Sequence, residues 1–309
     1  MGHGIAQVAA QSGFQVVAVE TKQEALDAGM KRYGITYSIL TSNIVFPLLH
    51  FRISGSLSKV IAKDVKTGKI KSEVEGQQKQ KEVMERIYPS VHLADVKDCD
   101  VIVEAIIEIE QLKIDFYKNL GKLAKKDAIF ASNTSSLPIT NMAVASGRAN
   151  QFVGLHFFNP VQIMKLVEVI RTEHTDMAIF QRMLDFGKEL GKVPVSCKDT
   201  PGFIVNRLLV PYLAQAMAMV DRNDASIPDI DVSMQLGAGH PMGPLTLSDY
   251  VGLDTSLNIL KGWRQAHPDN PAFIVPKCLE EKVAKGELGR KTGKGFYVWE
   301  GDKAVRPNV

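Results

Sequence analysis

Residues 1–20 read MGHGIAQVAAQSGFQVVAVE, and this stretch decides the class of fold. The small residues at positions 4–12 predict a helix, and Gly13 is a typical C-terminal stop for it. The apolar residues at positions 14–20 predict a short strand that ends in an acid. The chain therefore opens on a glycine-led helix followed by a strand, with no strand in front of the helix.

Further along the chain, apolar runs with strand character recur between helical segments. They lie at Val101–Ile107, Ala128–Ser132, Phe152–Phe158 and Lys165–Ile170. Strands that alternate with helices indicate a mostly parallel, doubly wound sheet. After about Lys198 the periodicity becomes helical, and a strand pattern returns only near residues 295–298. We therefore predict an α/β domain over residues 1–198 and an all-α domain over residues 199–309.

The glycines at the start of the first helix and the acid after the next strand form a candidate nucleotide site. A dinucleotide-binding turn needs glycines where the backbone approaches a pyrophosphate, a helix N-terminus that supplies N–H groups, and an acid that hydrogen-bonds a ribose. Gly2 and Glu20 have the right separation to be the last glycine and the acid. The alternative is a helix-packing glycine and an exposed acid at a strand end.

Composition restricts the classes of function. The 309 residues, 45% of them hydrophobic, suffice for two domains with substantial cores. The three scattered cysteines exclude a disulfide framework and a Cys-x-x-Cys metal site, and they indicate a reducing compartment. A formal net charge of +3 without a long basic block gives no case for a nucleic acid partner. We therefore expect a small-molecule ligand. No run of about 20 apolar residues could span a membrane.

One segment, Tyr33–Arg52, interrupts a helical pattern. It is rich in β-branched and aromatic residues and has no clear period, whereas its removal joins the flanking apolar residues into one helical stripe. We interpret it as an insertion into a helix, and two origins stay open. One is a translated intron, because codons at both ends can supply in-frame splice boundaries, and the other is a real surface loop or hairpin. The sequence of the transcript distinguishes them.

His156 and Glu168 are the candidate catalytic pair. His156 lies in an apolar strand, where a structural histidine is the ordinary alternative. Glu168 shares a strand face with Leu166 and Ile170, so its carboxylate is costly to bury without a partner. A short turn between the two strands can bring Glu168 beside His156. A carboxylate bonded to one imidazole nitrogen fixes the tautomer and makes the other nitrogen a better general base for an alcohol.

Two further polar clusters lie where a ligand could bind. Ser132–Ser136 follows the C-terminal end of a predicted parallel strand, the edge at which open α/β sheets bind ligands. Asn206 and Arg207 stand at the entry to the helical domain, where an ordinary helix start with a polar face is the alternative.

Together these motifs resemble the L-3-hydroxyacyl-CoA dehydrogenases of fatty acid β-oxidation. The similar segments are Met1–Gln7, Ser132–Leu137, Gly154–Pro160, Met164–Ile170, Ser196–Leu209, Pro241–Pro244, Asp249–Asp254 and Gly289–Tyr297. The resemblance covers nearly the whole chain outside residues 33–52. It implies a Rossmann-type NAD-binding domain, a helical substrate-binding and dimerisation domain that forms a homodimer, and a mitochondrial matrix location.

The resemblance also implies roles for individual residues. His156 would take the proton of the C3 hydroxyl while the C3 hydride passes to NAD, and Glu168 would orient it. Ser135 and Asn206 would hydrogen-bond the substrate oxygen. The positions similar to cofactor contacts are Gly2, Glu20, Glu108, Lys113, Asn133, Ser135, Asn159 and Lys291. The positions similar to coenzyme A contacts are Ser56, Lys63 and Ser135, in a register recovered only when residues 33–52 are excised. No metal ligand is implied.

The chain also departs from the family pattern. Met1 coincides with the methionine inside the family's turn Gly-x-Gly-x-Met-Gly. We therefore expect the first, central strand and two glycines to be lacking. We also expect the chain to bind NAD poorly and to fold with marginal stability. A micromolar dissociation constant in a calorimetric titration with NADH would contradict this expectation. Glu20 stands where the family usually has Asp, and since no Arg follows it at once we expect NAD rather than NADP.

Two other functions stay open beside the dehydrogenase. One is a related Rossmann dehydrogenase that acts on a hydroxy acid without coenzyme A, and that would keep His156 and Glu168 without a need for Ser56 and Lys63. The other is a catalytically silent, crystallin-like relative that keeps the scaffold without turnover.

Overall fold

A computed structural model describes residues 1–20 and 45–308, and the chain divides into two compact units. The first unit is Met1–Phe203 and the second begins at Ile204. The division falls after Phe203, whereas the sequence places the boundary after Lys198. The first unit is an α/β domain of the Rossmann type with a mostly parallel sheet, and the second is mainly helical, which confirms the predicted fold class.

Over its described residues, 1–20 and 45–203, the first unit contains seven strands in two sheets. They are β1 (Val16–Val19), β2 (Ile87–Ser90), β3 (Val101–Glu104), β4 (Ile129–Ser132), β5 (Phe152–Phe157), β6 (Leu166–Arg171) and β7 (Val193–Lys198). β1 and β2 pair in parallel, and the other five follow the order β3-β4-β5-β6-β7. The five-stranded sheet is parallel except between β5 and β6, which a short turn joins in antiparallel register. The sequence did not predict β2 and β7, because β7 has no fully buried residue and β2 contains a proline.

Helices cover both sheets. In the first unit they are α1 (Gly2–Gln11), α2 (Val45–Lys66), α3 (Glu73–Glu85), α4 (Glu110–Leu123), α5 (Ile139–Ala145) and α6 (Met177–Glu189). Helix α1 packs over the seam between the sheets: Ile5 and Val8 share a core with strand β3, while Ala6 and Ala10 share another core with strand β1. Among the residues described, no strand pairs with both β1 and β3, and this is where the sequence predicts that a central strand is lacking.

Part of the predicted insertion is helical. Helix α2 runs without a break through Val45–Lys66, so residues 45–52 of the predicted insertion are helical. Residues 33–44 lie outside the described residues. Pro47 falls in the first turn, where its missing N–H leaves no helical hydrogen bond unmade. Ile53 and Leu57 then form the buried stripe that the sequence predicts for this helix.

The second unit is helical with one terminal hairpin. Its elements are α7 (Val205–Asp221), α8 (Ile227–Ala238), α9 (Pro244–Val251), α10 (Leu253–Ala266), α11 (Lys277–Ala284), β8 (Tyr297–Glu300) and β9 (Lys303–Pro307). The strand pattern that the sequence predicts near residues 295–298 lies in this hairpin, at the end of the helical domain. The buried carboxylate of Asp249 fixes the hairpin by accepting hydrogen bonds from Phe296 N at 2.8 Å, Tyr297 N at 2.9 Å and Trp299 Nε1 at 2.8 Å. None of the helices described is long and apolar enough to cross a membrane.

Candidate active site

His156 and Glu168 form a buried pair in the middle of the five-stranded sheet. They face each other directly in the antiparallel register of β5 and β6, and His156 Nδ1 lies 2.7 Å from Glu168 Oε2. Both side chains are almost completely buried. Because an ionised carboxylate can only accept, the shared proton sits on Nδ1 and leaves Nε2 with a lone pair. This is the arrangement of a general base and the group that orients it.

Two aromatic rings enclose the imidazole. The ring centroids of Phe158 and Phe203 lie 4.6 Å and 5.6 Å from that of His156. Phe203 has a φ of 55°, a left-handed conformation that is uncommon outside glycine and often occurs at functional sites. The sequence gives no signal for this conformation, although the Pro201-Gly202 turn directly before it marks a bend. The rings exclude water from the base.

The predicted polar cluster after β4 lies at the C-terminal edge of the sheet. Asn133 Oδ1 accepts a hydrogen bond of 2.8 Å from Phe157 N, the backbone neighbour of His156. Glu108 Oε1 accepts from Ser135 N at 2.8 Å, so the loop after β4 is tied to the loop after β3. The structure thus brings together three of the predicted site residues, Glu108, Asn133 and Ser135, and bonds Asn133 to the strand of His156.

Lys113, another predicted cofactor contact, is completely buried. Its Nζ lies 2.6 Å from Glu104 Oε1 and 3.3 Å from Glu108 Oε2. The sequence analysis missed Glu104. The signal that could have found it is the one that singled out Glu20, an acid at the C-terminal end of a predicted parallel strand.

The residues predicted to bind a dinucleotide fit that ligand in part. Helix α1 begins at Gly2, and within the part of the chain that the structure describes no side chain caps this N-terminus. A Cβ on Gly2 would lie 3.8 Å from that of Ala105, which places the helix start beside the C-terminal end of β3. Glu20 is exposed directly after β1. A helix N-terminus suits a pyrophosphate, and an exposed acid suits a ribose hydroxyl.

The remaining predicted residues lie on other elements. Asn159 is exposed in the turn after β5, and Ser56 and Lys63 stand two turns apart on α2, which places them on one side of that helix. Helix α2 packs on α1, α3 and β2 rather than on the strands of the dyad. Asn206 and Lys291 belong to the second unit, where Lys291 Nζ contacts the two carboxylate oxygens of Asp254 at 2.5 Å and 2.6 Å.

The cysteines do not contribute a nucleophile. Burial, and then the neighbouring carboxylate of Glu168, raises the pKa of Cys197 from 9.0 to about 12. A thiol with such a pKa holds almost no thiolate at neutral pH. Over residues 1–20 and 45–308, no group of three His, Cys, Asp or Glu side chains could hold a metal ion.

Comparisons with known proteins agree with this geometry. Residues 1–43 and 51–200 match the model of the 3-hydroxyacyl-CoA dehydrogenase NAD binding domain, and residues 202–299 match that of the 3-hydroxyacyl-CoA dehydrogenase C-terminal domain. The interruption at residues 44–50 falls inside the predicted insertion.

Named relatives are similar over almost the whole chain. The mitochondrial hydroxyacyl-coenzyme A dehydrogenase of Mus musculus is 47% identical over 97% of this chain and 88% of its own length. A probable 3-hydroxybutyryl-CoA dehydrogenase of Deinococcus radiodurans is 44% identical over 96% of both chains. The solved structure of (S)-3-hydroxybutyryl-CoA dehydrogenase from Ralstonia eutropha gives a TM-score of 0.83 at 35% identity, covering 97% of this chain and 95% of that one. This chain belongs to the 3-hydroxyacyl-CoA dehydrogenase family.

Proposed function

We propose that this chain is an NAD-dependent dehydrogenase that oxidises the C3 hydroxyl of L-3-hydroxyacyl-CoA to a ketone in fatty acid β-oxidation. The observation that carries the proposal is the buried pair of His156 and Glu168, joined at 2.7 Å, in a chain of this family. The pair explains how an alcohol is deprotonated, because the neutral imidazole offers Nε2 as a base and the carboxylate stabilises the imidazolium that forms.

The residues of this chain divide the work. His156 Nε2 accepts the hydroxyl proton, Glu168 holds the ring and its charge, and Ser135 and Asn206 hydrogen-bond the substrate oxygen. The rings of Phe158 and Phe203 keep water from the base. NAD, when bound, supplies the acceptor for the C3 hydride. The residues proposed to hold it are Gly2, Glu20, Glu108, Lys113, Asn133, Ser135, Asn159 and Lys291.

A steady-state assay of NADH oxidation by acetoacetyl-CoA tests this function. We expect H156Q to lower kcat by about 100 to 10,000-fold, the usual contribution of a positioned general base. His174 offers a matched control because it is exposed and its Nε2 lies 3.6 Å from Glu173. H174Q should retain the wild-type kcat, and an equal rate in H156Q would exclude His156 as the base. A wild-type protein without turnover would favour the silent relative.

Coenzyme A is the second part of the proposed substrate. Ser56 and the exposed cation of Lys63 lie on one side of α2, where a lysine can attract a phosphate. We expect K63A to raise KM for acetoacetyl-CoA, while alanine at exposed Lys79 on α3 leaves KM unchanged. Free acetoacetate should be a far poorer oxidant of NADH than acetoacetyl-CoA. Equal kcat/KM for both would favour the dehydrogenase that does not need coenzyme A.

We also propose a homodimer formed through the helical domain, in the mitochondrial matrix. The second unit leaves Leu208, Val232 and Leu236 exposed, with Leu236 at 84%, and a partner would cover such apolar side chains. Similar relatives from Mus musculus and Homo sapiens are named mitochondrial. Light scattering on the wild type and on L236E tests the dimer, since a monomer in both, or a dimer in both, would contradict this surface.

A further inference from the structure

Glu104 is a buried acid with three hydrogen-bond donors around it. Its side chain is 3% exposed at the end of β3. Oε1 accepts from Lys113 Nζ at 2.6 Å and from Ile106 N at 2.7 Å, and Oε2 accepts from Ser132 Oγ at 2.7 Å. One carboxylate therefore connects the loop after β3, the first turns of α4 and the end of β4. These three segments meet at the C-terminal edge of the sheet.

Lys113 is saturated by protein oxygens. Besides Glu104 Oε1, its ammonium donates to Ile106 O at 3.3 Å and lies 3.3 Å from Glu108 Oε2. An ammonium carries three N–H donors, and these three oxygens match them. The side chain is completely buried, and its charge is shared between the carboxylates of Glu104 and Glu108.

Glu108 carries the connection into the polar loop after β4. Its Oε1 accepts from Ser135 N at 2.8 Å, from Ser136 N at 3.3 Å and from the hydroxyl of Thr134. At the other end of the loop, Asn133 N donates to Glu104 O at 2.8 Å. Glu104 and Glu108 therefore hold the loop from both ends, and the single cation of Lys113 lies between the two carboxylates.

The charges make the three side chains interdependent. Two carboxylates share one ammonium, so loss of Lys113 leaves two like charges close together with one of them buried, which is strongly unfavourable. Loss of the Glu104 charge removes the strongest partner of a buried cation. We expect either change to disturb Glu108, whose Oε1 accepts from the amides of Ser135 and Ser136.

We propose that Glu104 and Lys113 are positioning residues that fix the loop carrying Asn133 and Ser135 against the strand of His156. The inference rests on the proposed function for its kinetic consequence, because Asn133 and Ser135 are the proposed contacts to cofactor and substrate.

Amide hydrogen exchange measures the positioning without any turnover. In E104Q and in K113M we expect the amides of Ser135 and Ser136 to exchange at least about tenfold faster, the factor for one lost hydrogen bond. Glu287 supplies the control, since it forms a half-buried pair with Lys282 at 3.5 Å in the other unit. E287Q should leave these amides unchanged. Unchanged exchange in both test variants would overturn the proposal, even if the wild type has no activity.

A double-mutant cycle on kcat/KM tests whether Glu104 and Lys113 act as one unit. The variant E104Q/K113M removes both buried charges, so its kcat/KM should be at least about threefold higher than the product of the two single losses predicts. If the two losses simply multiply, Glu104 and Lys113 act independently and the proposal is wrong. Should E104Q fail to fold, S132A removes one hydrogen bond to Glu104 and should accelerate exchange at Asn133.

The two failures remain distinguishable. If the wild type has no turnover but E104Q and K113M lose protection of the loop amides, the proposed function is refuted and the positioning stays intact. Normal turnover in E104Q and K113M with unchanged loop exchange would refute the positioning and leave the function intact.

Discussion

The change of Glu168 to glutamine tests the catalytic pair most directly. Glu168 is completely buried on β6, and its Oε2 lies 2.7 Å from His156 Nδ1. Glutamine keeps the volume of the side chain but removes the charge, and its amide can present N–H donors to Nδ1. An imidazole that accepts at Nδ1 carries its proton on Nε2. In that tautomer His156 cannot take a proton from the substrate.

Two contributions set the size of the effect. A hydrogen bond to a charged group contributes about 1.5–3 kcal/mol, which corresponds to about 10 to 150-fold in rate. Loss of the general base altogether costs about 100 to 10,000-fold. We therefore expect kcat of E168Q to fall at least about tenfold, and to approach that of H156Q where the amide favours the wrong tautomer. KM should change little, because Glu168 lies behind the imidazole.

The assay is NADH oxidation by acetoacetyl-CoA, with folding checked by circular dichroism. Glu173 provides the matched control, since its side chain is 80% exposed and pairs with His174 at 3.6 Å on the surface. E173Q should have the wild-type kcat. Residues that act as one unit are not additive, so H156Q/E168Q should be no slower than H156Q. A wild-type kcat in E168Q, or a double variant as slow as the product of the single losses, would refute the pair.

Three further predictions concern stability and reactivity. In G154A the new Cβ would lie 2.9 Å from Ile139 Cδ1 and from Ile170 Cβ, so we expect a loss of about 1–3 kcal/mol in the free energy of unfolding. The control is G55A on α2, whose new Cβ meets nothing within 4 Å and should not lower the free energy of unfolding. In D249N three buried N–H donors lose the carboxylate that accepts from them, so we expect thermal denaturation to show a Tm lowered by several degrees. An unchanged Tm would contradict the role of Asp249 in the hairpin. Because the pKa of Cys197 is about 12 rather than 9.0, its thiolate fraction at pH 8 is about 1000-fold below that of the unfolded chain. A thiol reagent should therefore modify Cys197 slowly in the native state, and faster as the pH rises. Equal rates in native and denatured protein would refute the burial.

The pair of His156 and Glu168 shows how far local pattern reaches. A two-residue period places Glu168 on an apolar face, and a buried carboxylate requires a partner. The nearest partner along the chain lies across one short turn, so the sequence alone predicts the contact that the structure shows. The same reasoning predicts the ligand edge near Ser135, because strand ends are local features.

The group of Glu104, Lys113 and Glu108 shows where local pattern stops. Nothing near Glu104 in the sequence indicates that Ser132 donates to it, since the two residues are 28 positions apart. The strands β2 and β7 were missed for a related reason. They exist because neighbouring strands supply their hydrogen bonds, and their own residues carry little apolar signal.

The amino-acid sequence by itself determined the order of an α/β domain and a helical domain, the family, and the pairing of His156 with Glu168. These depend on periodicity, turn residues and spacing, all of which are properties of short segments. Only the tertiary structure decided that Lys113 is enclosed by two glutamates, that Phe203 adopts a positive φ beside the imidazole, and that residues 45–52 extend α2. The physical reason is that burial and charge pairing are set by segments distant in the chain, so the partner of a buried group becomes visible only when the chain is folded.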